Sequence, residues 1–210
     1  MTQPRIAVLD YDAGNLRSAA RALSAAGSSA FVTADADEAT DADGLFVPGV
    51  GHFGQCVTAF RERGFERLVV AWQATQRPVL GVCVGMQILY ETSEEAPDVP
   101  GLGVLPGRTV HLPAGLTVPH MGWNTLEARR DDPLLDGVAG EQVYFVHSYY
   151  GDPPHDEQVV ATVHYGIDFP AVVREGRVVA TQFHPEKSSA VGLRLLGNWV
   201  RDVTSEVAAA

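Results

Sequence analysis

A chain of 210 residues with 46% hydrophobic and 20% charged residues has globular composition and enough apolar material for a sizeable core. Its formal net charge of -11 excludes the basic face that nucleic acid or an anionic membrane surface would require. The only cysteines, Cys56 and Cys83, exclude a disulfide framework and make the cytoplasm the expected compartment.

No Gly/Ser-rich or charged linker interrupts the pattern, so residues 1–210 read as one domain. Met1-Thr2-Gln3-Pro4-Arg5 leads into four apolar residues and then Asp10, too short for a signal segment or a membrane span. Disorder is expected only at the ends, chiefly at Ala208-Ala209-Ala210. Ile6-Ala7-Val8-Leu9 is a continuous apolar run, the mark of a parallel strand buried on both faces, and a polar loop follows it. The alanine and leucine content predicts a helix over 16–26, stopped by Gly27. Ala30 to Thr33 reads as a second strand, and the acidic stretch Asp35 to Asp43 as a solvated loop without function.

Gly44 to Val47 is a third strand and empties into Pro48-Gly49-Val50-Gly51-His52-Phe53-Gly54, a loop able to bring bare amides close to a ligand. It is neither a phosphate-binding loop with Gly-Lys-Ser/Thr nor a dinucleotide fingerprint. Helices are expected over 55–63 and 65–75, then a strand ending at Cys83. Strands alternating with helices imply βαβ units, whose ligands sit at the carboxyl ends of the strands. From Gly101 the pattern changes to short strands over 103–112, 117–127, 143–150, 159–165, 169–174 and 178–183, with Asp168-Phe169-Pro170 and Arg174 to Arg177 as turns. A closing helix over 188–203 carries an apolar stripe of Val191, Leu195, Leu196, Trp199 and Val203. The fold class is α/β: a mainly parallel central sheet flanked by helices, with additional antiparallel strands in the C-terminal half.

Gly81-Val82-Cys83-Val84-Gly85 has the layout of a nucleophile elbow, in which glycines two residues either side permit a strained strand-to-helix turn. The turn would present the thiol to the first amides of the next helix, whose partial positive charge favours thiolate. A buried structural cysteine is the bland alternative, and the paired glycines argue against it. Near the other end, Thr181-Gln182-Phe183-His184-Pro185-Glu186-Lys187-Ser188 closes the last strand. An extended His-Pro-Glu would set His184 and Glu186 on one side of the chain, so that the carboxylate fixes the imidazole tautomer. Cys83, His184 and Glu186 are thus candidate nucleophile, base and orienter. His52, His111, His120, His147, His155 and His164 read as ordinary residues or partner contacts. No Cys-x-x-Cys or His-Glu-x-x-His spacing supports a metal site.

Taken together, Gly81 to Gln87 and His184-Pro185-Glu186 resemble the class I (triad) glutamine amidotransferases. Within them, Asp10 to Leu16, Pro48 to Gly51, Pro119-His120-Met121-Gly122-Trp123-Asn124, Tyr144 to Tyr149 and His184 to Ser189 resemble the glutaminase subunits of imidazole glycerol phosphate synthases. The resemblance implies glutamine hydrolysis at Cys83 without a cofactor. It implies oxyanion donation by the amides of Val50 and Val84, and glutamine binding by Gly51, Gln87, Ser148 and Tyr149. Its implied partner is a (β/α)8-barrel cyclase in a heterodimer, with Trp123 and Lys187 on the docking face. A triad amidotransferase serving another synthase is the nearest alternative, and the Pro-His-Met-Gly-Trp-Asn stretch speaks against it. A non-catalytic binding module would be expected to lack a triad member, and all three are present. A free-standing cysteine hydrolase would turn over fully without a partner.

Overall fold

The computed structural model describes residues 3–207; Met1, Thr2 and Ala208 to Ala210, the last three expected to be disordered, lie outside the described residues. In chain order the first half runs β1 (Arg5–Leu9), α1 (Leu16–Ala25), β2 (Ser29–Thr33), α2 (Ala36–Thr40), β3 (Gly44–Val47), α3 (Phe53–Glu62), α4 (Phe65–Ala74), β4 (Val79–Val82) and α5 (Val84–Gln87). The second half runs β5 (Thr92–Ser93), β6 (Arg108–His111), β7 (His120–Thr125), β8 (Glu127–Ala128), β9 (Gln142–His147), β10 (Tyr149–Asp152), β11 (Val159–His164), β12 (Asp168–Glu175), β13 (Val178–Thr181) and α6 (Ser189–Val207).

An eight-stranded sheet in the order β2-β1-β3-β4-β13-β12-β11-β8 forms the centre. The first five of that order are parallel neighbours, and the remaining three extend the sheet antiparallel. Strands β3, β4 and β13, without a polar side chain except Thr181, are buried along their whole length, as a sheet covered on both faces requires. Helix α1 packs on α6 and α3 on α4, and Trp199 of α6 sits over Gly44, where a methyl group would already crowd it. Apart from this sheet stand two small ones, β10-β6-β5 and the antiparallel ribbon β7-β9. Among the described residues no helix is long and apolar enough to cross a membrane.

Several expectations are corrected. The acidic stretch contains a helix: Asp35 caps α2 by accepting from the Asp37 and Glu38 amides, while Asp43 accepts from the Arg5 amide at 2.7 Å. These carboxylates satisfy backbone donors, as N-terminal caps do. Asp168-Phe169-Pro170 opens β12, and the turn before it is centred on Gly166 at φ 70. Pro170 is tolerated because it lies opposite Thr162 at a register shift between β11 and β12, where ladder hydrogen bonds are already interrupted. The expected strand over 103–112 shrinks to β6, and the one over 143–150 divides at Ser148 into β9 and β10.

Candidate active site

The apolar run before Cys83 becomes the sheet strand β4, and the chain leaves it through a single residue. Cys83 adopts φ 56 and ψ -116, a backbone conformation costly for any side chain. Surrounding bonds hold it there. Its amide donates to Thr181 at 2.8 Å, and its carbonyl accepts from the Met86 and Gln87 amides at 3.0 and 3.1 Å. Both flanking glycines are required by space: a methyl on Gly81 would lie 2.8 Å from Leu89 Cδ1, and one on Gly85 would collide with the Val47 carbonyl. The following helix, α5, is only four residues long, so the thiol meets a few free amides rather than a long dipole. Among the described residues the Val84 amide has no acceptor, and neither has that of Val50.

The loop after β3 lies directly on this elbow. Gly49 is glycine because a methyl there would meet the Gly85 amide, whereas Gly51, at φ 101, is glycine for its left-handed conformation. Two buried donors fix the loop from behind: the Tyr11 hydroxyl donates to Pro48 O and the Cys56 thiol to Val50 O at 3.4 Å. Burial pushes the Tyr11 phenol well above its usual range and the Cys56 thiol up to about 12, so both keep the proton they donate.

His184 leaves the end of β13 and is almost fully buried. The expected extended His-Pro-Glu is instead a 3-10 turn over Pro185–Lys187. Proline suits the first position of such a turn, since its ring presets φ and no amide proton is wanted there. The turn still delivers the pairing: His184 Nδ1 lies 2.8 Å from Glu186 Oε1, leaving Nε2 free. Burial is the largest influence on His184 and works against its charge. The Cys83 and Glu186 side chains outweigh it and push the imidazole up to about 9. Nε2 completes no hydrogen bond; catalytic bonds commonly tighten only with substrate in place.

Cys83, His184, Val50, Val84, Gly51, Gln87, Ser148 and Tyr149 all line one cavity of about 280 Å³. That is the small end of the range for ligand pockets and fits one small metabolite. Trp123 and Lys187 lie outside it. Both are exposed, on either side of Tyr144, whose ring meets Trp123 edge-on and whose backbone bonds to His184 and Ser188.

Other residues here were not legible as site residues. Glu95 lines the same cavity while capping α3 at the Phe53 amide, and His147, set aside above, forms part of the wall. His147 Nδ1 donates to Tyr149 O at 2.9 Å, so its Nε2 is the acceptor for His120 Nδ1 at 3.0 Å. Burial pushes His147 down to about 3, which keeps it neutral in that role. Gln182, fully buried, reaches the Cys83 sulfur from behind. Glu95 carried no local signal, whereas Gln182 lies beside His184 in one motif and His147 within the Tyr144 to Tyr149 motif.

A family model described as glutamine amidotransferase class-I matches residues 7–203. The chain is similar to the imidazole glycerol phosphate synthase subunit HisH of Deinococcus radiodurans, with 49% identity over 205 residues covering 95% of this chain and 94% of that one. The subunit of the same name from Natronomonas pharaonis is 46% identical over 203 residues, 93% of each chain. A solved crystal structure of a glutamine amidotransferase matches with a TM-score of 0.76, covering 95% of this chain and 98% of that one at 24% identity, a likeness of fold.

Proposed function

From the premise that this chain belongs to the class I glutamine amidotransferase family, we propose that it is the glutaminase subunit of an imidazole glycerol phosphate synthase. It hydrolyses the side-chain amide of L-glutamine and delivers the ammonia to a cyclase subunit in histidine biosynthesis. The observation that carries the chemistry is the meeting of Cys83, His184 and the Glu186-held tautomer at one cavity.

The Cys83 sulfur adds to the amide carbon of glutamine, and the resulting oxyanion takes the free Val50 and Val84 amides. His184, already protonated at neutral pH, gives its proton to the departing nitrogen, and ammonia leaves as a thioester forms. His184 then takes a proton from water, hydroxide displaces sulfur, and glutamate is released. Gly51, Gln87, Ser148 and Tyr149 hold the substrate, and the Glu95 carboxylate complements its ammonium group. Removing one oxyanion donor typically costs on the order of 100- to 1,000-fold in kcat.

Residues 1–210 act as one domain, supported by a family match over nearly the full length. The partner is a cyclase of (β/α)8-barrel fold in a heterodimer, and Trp123 and Lys187 belong to the docking face. The compartment is the cytoplasm, in keeping with two free thiols.

Cys83→Ala is the direct test. Glutamine-dependent synthesis by the complex should fall by a factor on the order of 1,000 or more, while synthesis from added ammonia is retained. Substantial glutamate release by that variant would remove Cys83 from the nucleophile's role.

A further inference from the structure

We propose that Gln182 is a positioning residue for the nucleophile, donating a side-chain N–H to the Cys83 sulfur and holding it as the anion. The proposal rests on the reading of Cys83 as the nucleophile.

The argument starts from which amide atom faces which. Tyr149 O is a carbonyl and can only accept, so the Gln87 atom 2.9 Å from it is Nε2. The same Nε2 lies 3.2 Å from Gln182, which must therefore present Oε1 to it. Gln182 Nε2 is thereby turned toward the sulfur, at 3.9 Å. The orientation of Gln182 is set by Gln87, itself anchored to the Tyr149 carbonyl, rather than by the sulfur.

The energetics then favour one ionic form of the thiol. Gln182 is fully buried, and among the described residues its Nε2 has no acceptor other than Sγ. A buried N–H without an acceptor is costly, and a neutral thiol is a poor acceptor while a thiolate is a strong one. The competing contact is the Val146 carbonyl, also 3.9 Å from Sγ, which a protonated sulfur would satisfy. Gln182 and Val146 thus pull the proton equilibrium in opposite directions from opposite partners. Removing the Gln182 donor leaves the Val146 acceptor opposed only by the His184 imidazolium and the free Val84 amide, and moves the sulfur toward the thiol.

The test reads the sulfur directly. Iodoacetamide alkylation of Cys83 is followed against pH in the full-length chain, with peptides resolved by mass spectrometry so that Cys56 is scored separately. Gln182→Met keeps the volume and removes the donor; Gln182→Glu keeps the shape and places an acceptor against sulfur. Each should raise the Cys83 alkylation midpoint by about one pH unit, as expected for a lost hydrogen bond to a charged group. Glutaminase kcat at neutral pH should fall in step with the lost thiolate, by up to about tenfold. A melting temperature that drops while the midpoint stays put would make Gln182 a packing residue and overturn the proposal. Should Gln182→Met not fold, Gln182→Glu in the same assay decides. The nucleophile reading fails separately, if wild-type chain fully alkylated at Cys83 still hydrolyses glutamine.

Discussion

Gly49 and Gly85 face each other with no room for a methyl group on either, so the loop after β3 and the turn at Cys83 are one packed unit. Gly85→Ala would drive Cβ into the Val47 carbonyl, and overpacking of this kind typically costs about 1–3 kcal/mol. Because the strain falls on the residue after Val84, activity should suffer more than stability: a Tm lowered by several degrees, but kcat reduced on the order of 100-fold. Calorimetry and glutamate release on the same preparation check this, and wild-type kcat in a folded variant would show that the interlock is dispensable. The Glu186 carboxylate makes a second point about single side chains. In the proposed mechanism His184 must be protonated to release ammonia, and its imidazole, pushed up to about 9, loses that proton as pH rises through this region. The kcat/KM profile should therefore fall on its alkaline side near pH 9. In Glu186→Gln a raising partner is gone while burial still lowers the imidazole, so the alkaline limb should move to lower pH and kcat fall on the order of 100-fold or more. An unmoved limb would separate Glu186 from the titration of His184.

Strands and helices were legible where a local pattern decides them. The runs that became β1, β3 and β4 announce themselves because a strand covered on both faces has no polar residue to disguise it. β13 has the same character, yet nothing local reveals that it joins β4 in parallel rather than pairing only with its hairpin partner β12. Helix α2, five residues with an Asp cap, is too short for periodicity to register. Pro170 looked like punctuation because its tolerance depends on a register shift in another strand. Cys83, His184 and Glu186 were nameable as candidates since the Gly-x-Cys-x-Gly stretch and His-Pro-Glu are each local, whereas Glu95 enters through tertiary approach alone, and Gln182 and His147, though inside quoted motifs, gain their place only from contacts distant in sequence. Strand β7 shows what alternation does on a ribbon: His120 points inward, while Met121 and Trp123 stand 64% and 49% exposed. Large apolar side chains side by side on an exposed strand offer a face to a partner, to which the proposed docking face adds the exposed Lys187. Alanine at Trp123 and Lys187 together should weaken cyclase binding by at least about tenfold, measured by titration calorimetry, and lower partner-stimulated glutaminase activity. Unchanged affinity and stimulation would move the docking face elsewhere.

Across the fold, the cavity is assembled from separate sheets. Cys83 and the loop carrying Val50 belong to the carboxyl edge of the eight-stranded sheet, while Val146 and His147 belong to the ribbon β7-β9. Ribbon and central sheet share no strand ladder. What joins them, besides the bonds from His184 N to Tyr144 O at 3.0 Å, from the Tyr144 amide to Ser188 Oγ at 2.9 Å and from the Asn124 side chain to His164 O at 2.8 Å, is side-chain packing, in which Phe145 meets Phe169 and Phe183 and His120 stacks on Tyr165. An outward movement of the wall across from Cys83 would part that packing but open no ladder of the central sheet. On the proposed function, glutamine would enter and glutamate depart by a local excursion less costly than global unfolding. Amide hydrogen exchange measures that hierarchy: backbone amides of β7 and β9 should exchange roughly 100-fold or more faster than those of β1, β3 and β4. Binding a glutamine analogue, which would bridge wall and floor, should slow the ribbon selectively. Equal protection of ribbon and central strands would mean that the pocket opens only when the core itself does.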